Sequence, residues 1–132
     1  MSQLKRVYIA HEYGGKRENL QKVKAIIKDI IMNQPEVIPV CPWYALVESL
    51  DDSNDIERAM GLRATTALLK KGIIDELWIY GSKLSLGVEL EINHAVNENI
   101  TLFLKTTEIK TEDLKRSFFN QGLPEPIFKT VA

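Results

Sequence analysis

"IIDELWIYGSKLSLGVELEINHA", residues 73–95, decides the fold. Its first eight residues form an apolar, β-branched run bounded by Gly81, which is the pattern of a buried strand. "GSKLS" (81–85) supplies loop residues, and 86–98 reads as a helix. Strand, short loop and helix make half of a βαβ unit, and the same alternation continues in both directions along the chain.

Upstream, "RVYIA" (6–10) is a short strand and "HEYGGK" a turn. From Arg17 to Asn33, Leu20, Val23, Ile26, Ile27, Ile30 and Ile31 recur in steps of three and four, marking one face of a helix. "EVIPVCP" (36–42) reads as a second strand, and Pro39 inside it points to an edge or irregular position. Residues 43–54 read as a loop. Trp43, Tyr44, Ala45 and Leu46 make that loop apolar, which suits a pocket lid or an interface. Asn54 precedes Glu57 by three, a start signal for a helix running to about Lys71 on Ile56, Ala59, Met60, Ala67, Leu68 and Leu69. Downstream, "ITLFL" (100–104) is the last clear strand. Thr111 to Asn120, with Leu114, Phe118 and Phe119, is a terminal helix stopped by Gly122.

The order is β-α-β-α-β-α-β-α. It implies an α/β domain, residues 1–132, with a mostly parallel sheet of four to five strands and helices on both faces. Ligands in such sheets bind at the carboxyl ends of the strands, which nominates loops 11–16, 41–54 and 81–87.

The 132 residues are 45% hydrophobic and 27% charged, an ordinary balance for one soluble domain. A net charge of −1 gives no global field for nucleic acid or an anionic membrane, so neither is expected as a partner. A single cysteine excludes an internal disulfide. No Cys/His cluster has zinc spacing, and no metal or cofactor is expected. Cys41 follows an apolar run, which favours a buried, inert thiol over a reactive one. The absence of an 18-residue apolar run and of a signal peptide sets a cytoplasmic expectation.

Three stretches carry candidate chemistry. In "HEYGGKRE" (11–18), Gly14 and Gly15 permit close backbone approach at a helix start, where an anion is favoured, and Lys16 and Arg17 add charge. A plain turn with solvated charges explains the same residues, and His11 is a candidate polar contact. "LDDSND" (50–55) has three aspartates, which capping explains better than metal binding. In "SLGVELEINHA" (85–95), Ser85 or Gly87 caps the helix. Glu89 and Glu91 then lie about 200° apart around its axis, so at most one faces a pocket. Glu91 shares a face with His94 and Ala95. The helix dipole should hold a carboxylate there ionised, able to act as a nucleophile or to accept from a sugar. Simple dipole matching is the alternative.

The last stretch resembles the signature of the nucleoside 2-deoxyribosyltransferase superfamily, and especially of its 2′-deoxynucleoside 5′-phosphate N-hydrolase branch. Ser85, Gly87, Glu91 and Ala95 satisfy the pattern Ser-x-Gly, a glutamate four residues on, and an alanine four further. Asp75 matches the aspartate that opens the preceding strand. "VYIAHEYGGKRE" is similar to the first strand and glycine loop, with Tyr8 at the usual tyrosine. "CPWYALVESLDDSND" and the segment from Ala67 to Gly87 look still more like an uncharacterised bacterial and phage group of the same fold. The likeness covers about residues 6 to 104.

The resemblance implies a Rossmann-like or flavodoxin-like three-layer sandwich, and a homo-oligomer. It implies Glu91 as a nucleophile on C1′ of a deoxyribose, Tyr8 as its positioning partner, and Gly14, Gly15, Arg17, Ser85 and Gly87 around a 5′-phosphate or 5′-hydroxyl. Two positions depart from the pattern. Thr65 stands where active relatives carry an aspartate that assists protonation of the leaving base, and His11-Glu12 replaces the usual "GP" or "GS". The readings are therefore an N-glycosidase or deoxyribosyltransferase, a non-catalytic module that binds or sequesters a nucleotide signal, and a phage-type protein that grips another protein.

Overall fold

A computed structural model of the chain describes residues 3–120 and 128–130. Five strands, β1 (Lys5–Ala10), β2 (Val37–Val40), β3 (Glu76–Ile79), β4 (Thr101–Leu104) and β5 (Phe128–Thr130), form one sheet. Their order is β2-β1-β3-β4-β5, and every pairing is parallel. Helices α1 (Arg17–Asn33), α2 (Pro42–Ser49), α3 (Asp55–Thr66), α4 (Leu86–Asn97) and α5 (Thr111–Asn120) flank it. The architecture is the expected α/β sandwich, with the flavodoxin-like strand order.

Parallel strands covered on both faces read as continuous apolar runs, which is why "RVYIA" and "LWIY" lack alternation. Val7, Tyr8, Ile9 and Ala10 are all fully buried. Val7 and Ile9 join Ile30, Val37 and Trp78 in one cluster. Tyr8 and Ala10 join Leu77, Ile79, Leu102 and the α4 residues Val88, Ile92 and Ala95 in the other. Pro39 lies in β2, an edge strand, where its missing N–H costs no ladder bond on the open side. At the opening end of the sheet, Asp75 accepts from the Arg6 amide at 2.8 Å while its own amide donates to the Arg6 carbonyl at 2.9 Å. Asp75 thus ties β1 to β3 at the end away from the strand C-termini.

Several expectations need correction. Residues 43–54 are not all loop, because α2 occupies Pro42–Ser49. Pro42 fits the first turn, where its missing N–H is no loss. Trp43 is not exposed but buried, and its indole N–H donates to the Ile9 carbonyl at 3.0 Å. Helix α3 starts where expected, with Asn54 accepting from the amides of Ile56 and Glu57. It ends at Thr66, short of Lys71, and Ile56 and Met60 are exposed rather than buried. The inward side is Gly61, Leu62 and Thr65, and a Cβ on Gly61 would come within 3.3 Å of Leu50 as α2 packs on α3. In α1, Ile31 is exposed while Leu20, Val23 and Ile30 are buried. Strand β5 completes the expected count of four to five, and its three residues carry no period of their own. The helix stop at Gly122 lies outside the described residues. No helix among the described residues is long and apolar enough to cross a membrane.

Candidate functional site

From β1 the chain crosses to β2 on one side, and from β2 it crosses back to β3 on the other side of β1. The connections leaving β1 and β3 therefore diverge, opening a crevice at the strand C-termini. A cavity of about 210 Å³ lies there. All three nominated loop regions reach it: His11, Tyr13 and Gly14 after β1, the α2 segment after β2, and Ser85 and Gly87 after β3.

Ser85 caps α4 by accepting from the Val88 amide at 3.3 Å, so the helix starts at Leu86 and Glu91 falls in its second turn. The register is the expected one. Glu91 is 6% exposed and lines the cavity, while Glu89 does not. His94, expected on the Glu91 face, is exposed, because the helix turns it toward solvent beside buried Ala95. Beneath Glu91, the fully buried Tyr8 donates its hydroxyl to Glu91 Oε2.

Burial dominates the electrostatics of this pair. It pushes Glu91 up to about 8, although the Tyr8 hydrogen bond pulls the other way. The expectation of a dipole-held carboxylate is therefore reversed, since the dipole fades beyond the first turn. Tyr8 is raised by burial and by the neighbouring Glu91, so its proton stays on the phenol. Thr65 lies beside the Tyr8 hydroxyl, buried, donating to the Leu62 carbonyl at 3.0 Å. Cys41 is pushed up to about 12, by burial first and then by Glu91, and stays an inert thiol.

A second buried acid was not singled out in the sequence. Glu12, 3% exposed, accepts from the Ser82 amide and from the Ser82 hydroxyl at 3.0 Å. Burial raises its carboxyl, but the Ser82 donors and His11 outweigh that and hold it below the usual range. Gly81 makes room for it: its φ is +96°, and a Cβ there would sit 2.0 Å from Glu12 Oε2. This clamp joins the loops after β1 and β3. His11, 5% exposed, has Nδ1 2.6 Å from the Glu12 carbonyl and 3.8 Å from its carboxylate.

Of the expected contacts, Tyr8, His11, Gly14, Ser85, Gly87 and Glu91 come together at the cavity or directly under it. Gly15 and Arg17 do not line it. Gly14 and Gly15 have φ of +59° and +74°, so glycine suits the turn itself. Arg17 points to solvent and pairs with Glu48 at 3.2 Å. The cation on the cavity wall is Arg58 of α3, which has no ion-pair partner among the described residues. "LDDSND" serves turn and cap, with Asp51 accepting from the Ser53 amide and hydroxyl and Asn54 capping α3. Trp43, Leu46, Val47 and Leu50 form the apolar wall. Their spacing of three, four and seven was the available helix signal.

No curated protein matches the chain. Among solved structures, a conserved protein from Enterococcus faecalis is similar at a TM-score of 0.56 and 15% identity, over 98% of this chain and 91% of its own. Similarity at that identity speaks for the fold alone. A family model described as a domain of unknown function, DUF7768, matches residues 5–105. That span runs from β1 past β4 and contains every residue of the cavity, so the chain belongs to the DUF7768 family.

Proposed function

We propose that the cavity binds a deoxynucleoside or its 5′-monophosphate and cleaves the N-glycosidic bond, by hydrolysis or by transfer, with Glu91 as nucleophile. The observation that carries this is the Tyr8–Glu91 pair. A buried phenol fixes one carboxyl oxygen, and the carboxyl faces a cavity the size of one small metabolite at the crevice of a parallel sheet. Covalent glycoside chemistry needs an oriented carboxyl of this kind. The likeness of Ser85, Gly87, Glu91 and Ala95 to the nucleoside 2-deoxyribosyltransferase signature supports the same reading. We place the protein in the cytoplasm, as a homo-oligomer. Ile56 and Met60, one turn apart and 72% and 63% exposed, offer an apolar stripe for self-association.

One observation favours a second reading. With its carboxyl raised by burial to about 8, Glu91 is held mainly in the protonated form near neutral pH. A neutral carboxyl donates and accepts hydrogen bonds but does not attack carbon, which suits a module that binds a nucleotide without cleaving it. A base-release assay over deoxynucleosides and their monophosphates decides. An enzyme releases base, Glu91→Gln abolishes release, and Glu89→Gln changes it little. Ligand-dependent thermal stabilisation with no base release selects the binding module.

A further inference from the structure

We infer that His11 is the acid–base residue of this cavity, delivering the proton a leaving base needs, with Glu12 as its positioning partner; the assignment rests on the glycosidic-bond reading above. His11 stands at the C-terminal end of β1, buried, in the same cavity lining as Glu91. Its Nδ1 lies 2.6 Å from the Glu12 carbonyl oxygen, a contact that is favourable only if Nδ1 carries hydrogen. That fixes the tautomer and leaves Nε2 as the ring nitrogen not engaged by Glu12. The Glu12 carboxylate, 3.8 Å from Nδ1 and pinned by Ser82, complements the charge of the protonated ring.

Four other groups at or under the cavity do not fit the task. Tyr8 commits its proton to Glu91, and Thr65 is an alcohol that donates to a backbone carbonyl. Glu57 accepts from the Asp51 amide, and Asp52 is an exposed rim residue. In the first step ionised Glu91 attacks C1′. The Oε–C1′ bond forms, the C1′–N bond breaks, and its electron pair goes to the base, which takes the proton from His11 Nε2. Water then replaces the base. Neutral His11 takes a proton from it, the water oxygen bonds to C1′, the ester bond breaks, and Glu91 recovers its carboxylate. One water is consumed, and free base and deoxyribose are made.

The test compares leaving groups. Base release from 2′-deoxyadenosine requires a proton, whereas 7-methyl-2′-deoxyguanosine already carries a cationic base. Both are offered as nucleosides and as 5′-monophosphates. His11→Asn keeps a side-chain N–H for the Glu12 carbonyl but cannot serve as the acid. It should slow release from the adenine substrate by about 10²–10⁴-fold, and from the methylated one by under about tenfold. Glu12→Gln should show the same split at smaller size. Should His11→Asn fail to fold by its urea transition, His11→Gln carries the same comparison. Equal losses on the two substrates, or no loss on either, overturn the role of His11 while leaving the glycosidase reading intact. A wild-type protein that releases no base from any substrate overturns both.

Discussion

Replacing Glu91 by glutamine should make the protein more stable, and more so as pH rises. In the fold the carboxyl binds its proton up to about pH 8, against 4.5 for an ordinary glutamate, because burial penalises the charge. A folded-state value above the unfolded one means the stabilising proton is fully present below 4.5. The contribution is lost as pH rises through about 8. Each pH step in that window corresponds to roughly 1.4 kcal/mol, so the wild type gives up about 3 kcal/mol by pH 7. The loss reaches at most about 5 kcal/mol above pH 8. Glutamine is isosteric, its carbonyl still accepts from Tyr8, and it does not ionise. Urea transitions of both proteins from pH 5 to pH 8.5 measure the difference, in which all other titrating groups cancel. With a slope of about 1–3 kcal/mol per molar urea, the variant's midpoint should exceed the wild type's by about 1 M or more at pH 8. At pH 5 the gap should shrink to under about 1 kcal/mol. Curves that stay parallel across the range, or a wild type that is the more stable at pH 8, would refute a carboxyl held neutral by burial.

Gly81→Ala should cost at least about 2 kcal/mol, because it combines a strained φ with a clash against the Glu12 carboxylate. Gly14→Ala, with open space around it, should cost about 1 kcal/mol, and denaturant titration ranks the two. Trp43→Ala should cost about 3–5 kcal/mol for the emptied wall, and Trp43→Phe about 1 kcal/mol for the lost bond to Ile9. Calorimetry with a deoxynucleoside monophosphate should show Arg58→Ala weakening binding by about 1.5–3 kcal/mol, and Arg17→Ala leaving it unchanged. The opposite ranking restores Arg17 as the anion contact.

The strand–helix alternation and the three loops that reach the cavity were legible because parallel βα units repeat one local pattern. The orientation of Glu91 was legible because helix geometry alone separates it from Glu89. Helix α2 was hidden by its density of apolar residues, which reads as a sticky loop until Trp43, Leu46, Val47 and Leu50 are counted by spacing. The α3 prediction failed in the opposite sense. Hydrophobicity alone would turn Ile56 and Met60 inward, but the cavity side is Gly61, Leu62 and Thr65. The Tyr8–Glu91 pair and the Glu12–Ser82 clamp join residues far apart in sequence, 83 positions in the first and 70 in the second. No local pattern encodes such distances. Arg17 was misplaced because sequence locates a side chain on a helix but not the neighbour, Glu48, that draws it aside.

The position of β1 between β2 and β3 makes it the common support of the cavity. Its backbone is paired on both edges, and the residue beneath Glu91 hangs from it. The opposite wall belongs to α2 and α3, which lie outside the sheet in the crossover from β2 to β3. Trp43 ties that wall back to β1 through the Ile9 carbonyl, so both walls of the cavity lean on one central strand. A change in β1 would therefore disturb at once the phenol under Glu91 and the anchor of α2.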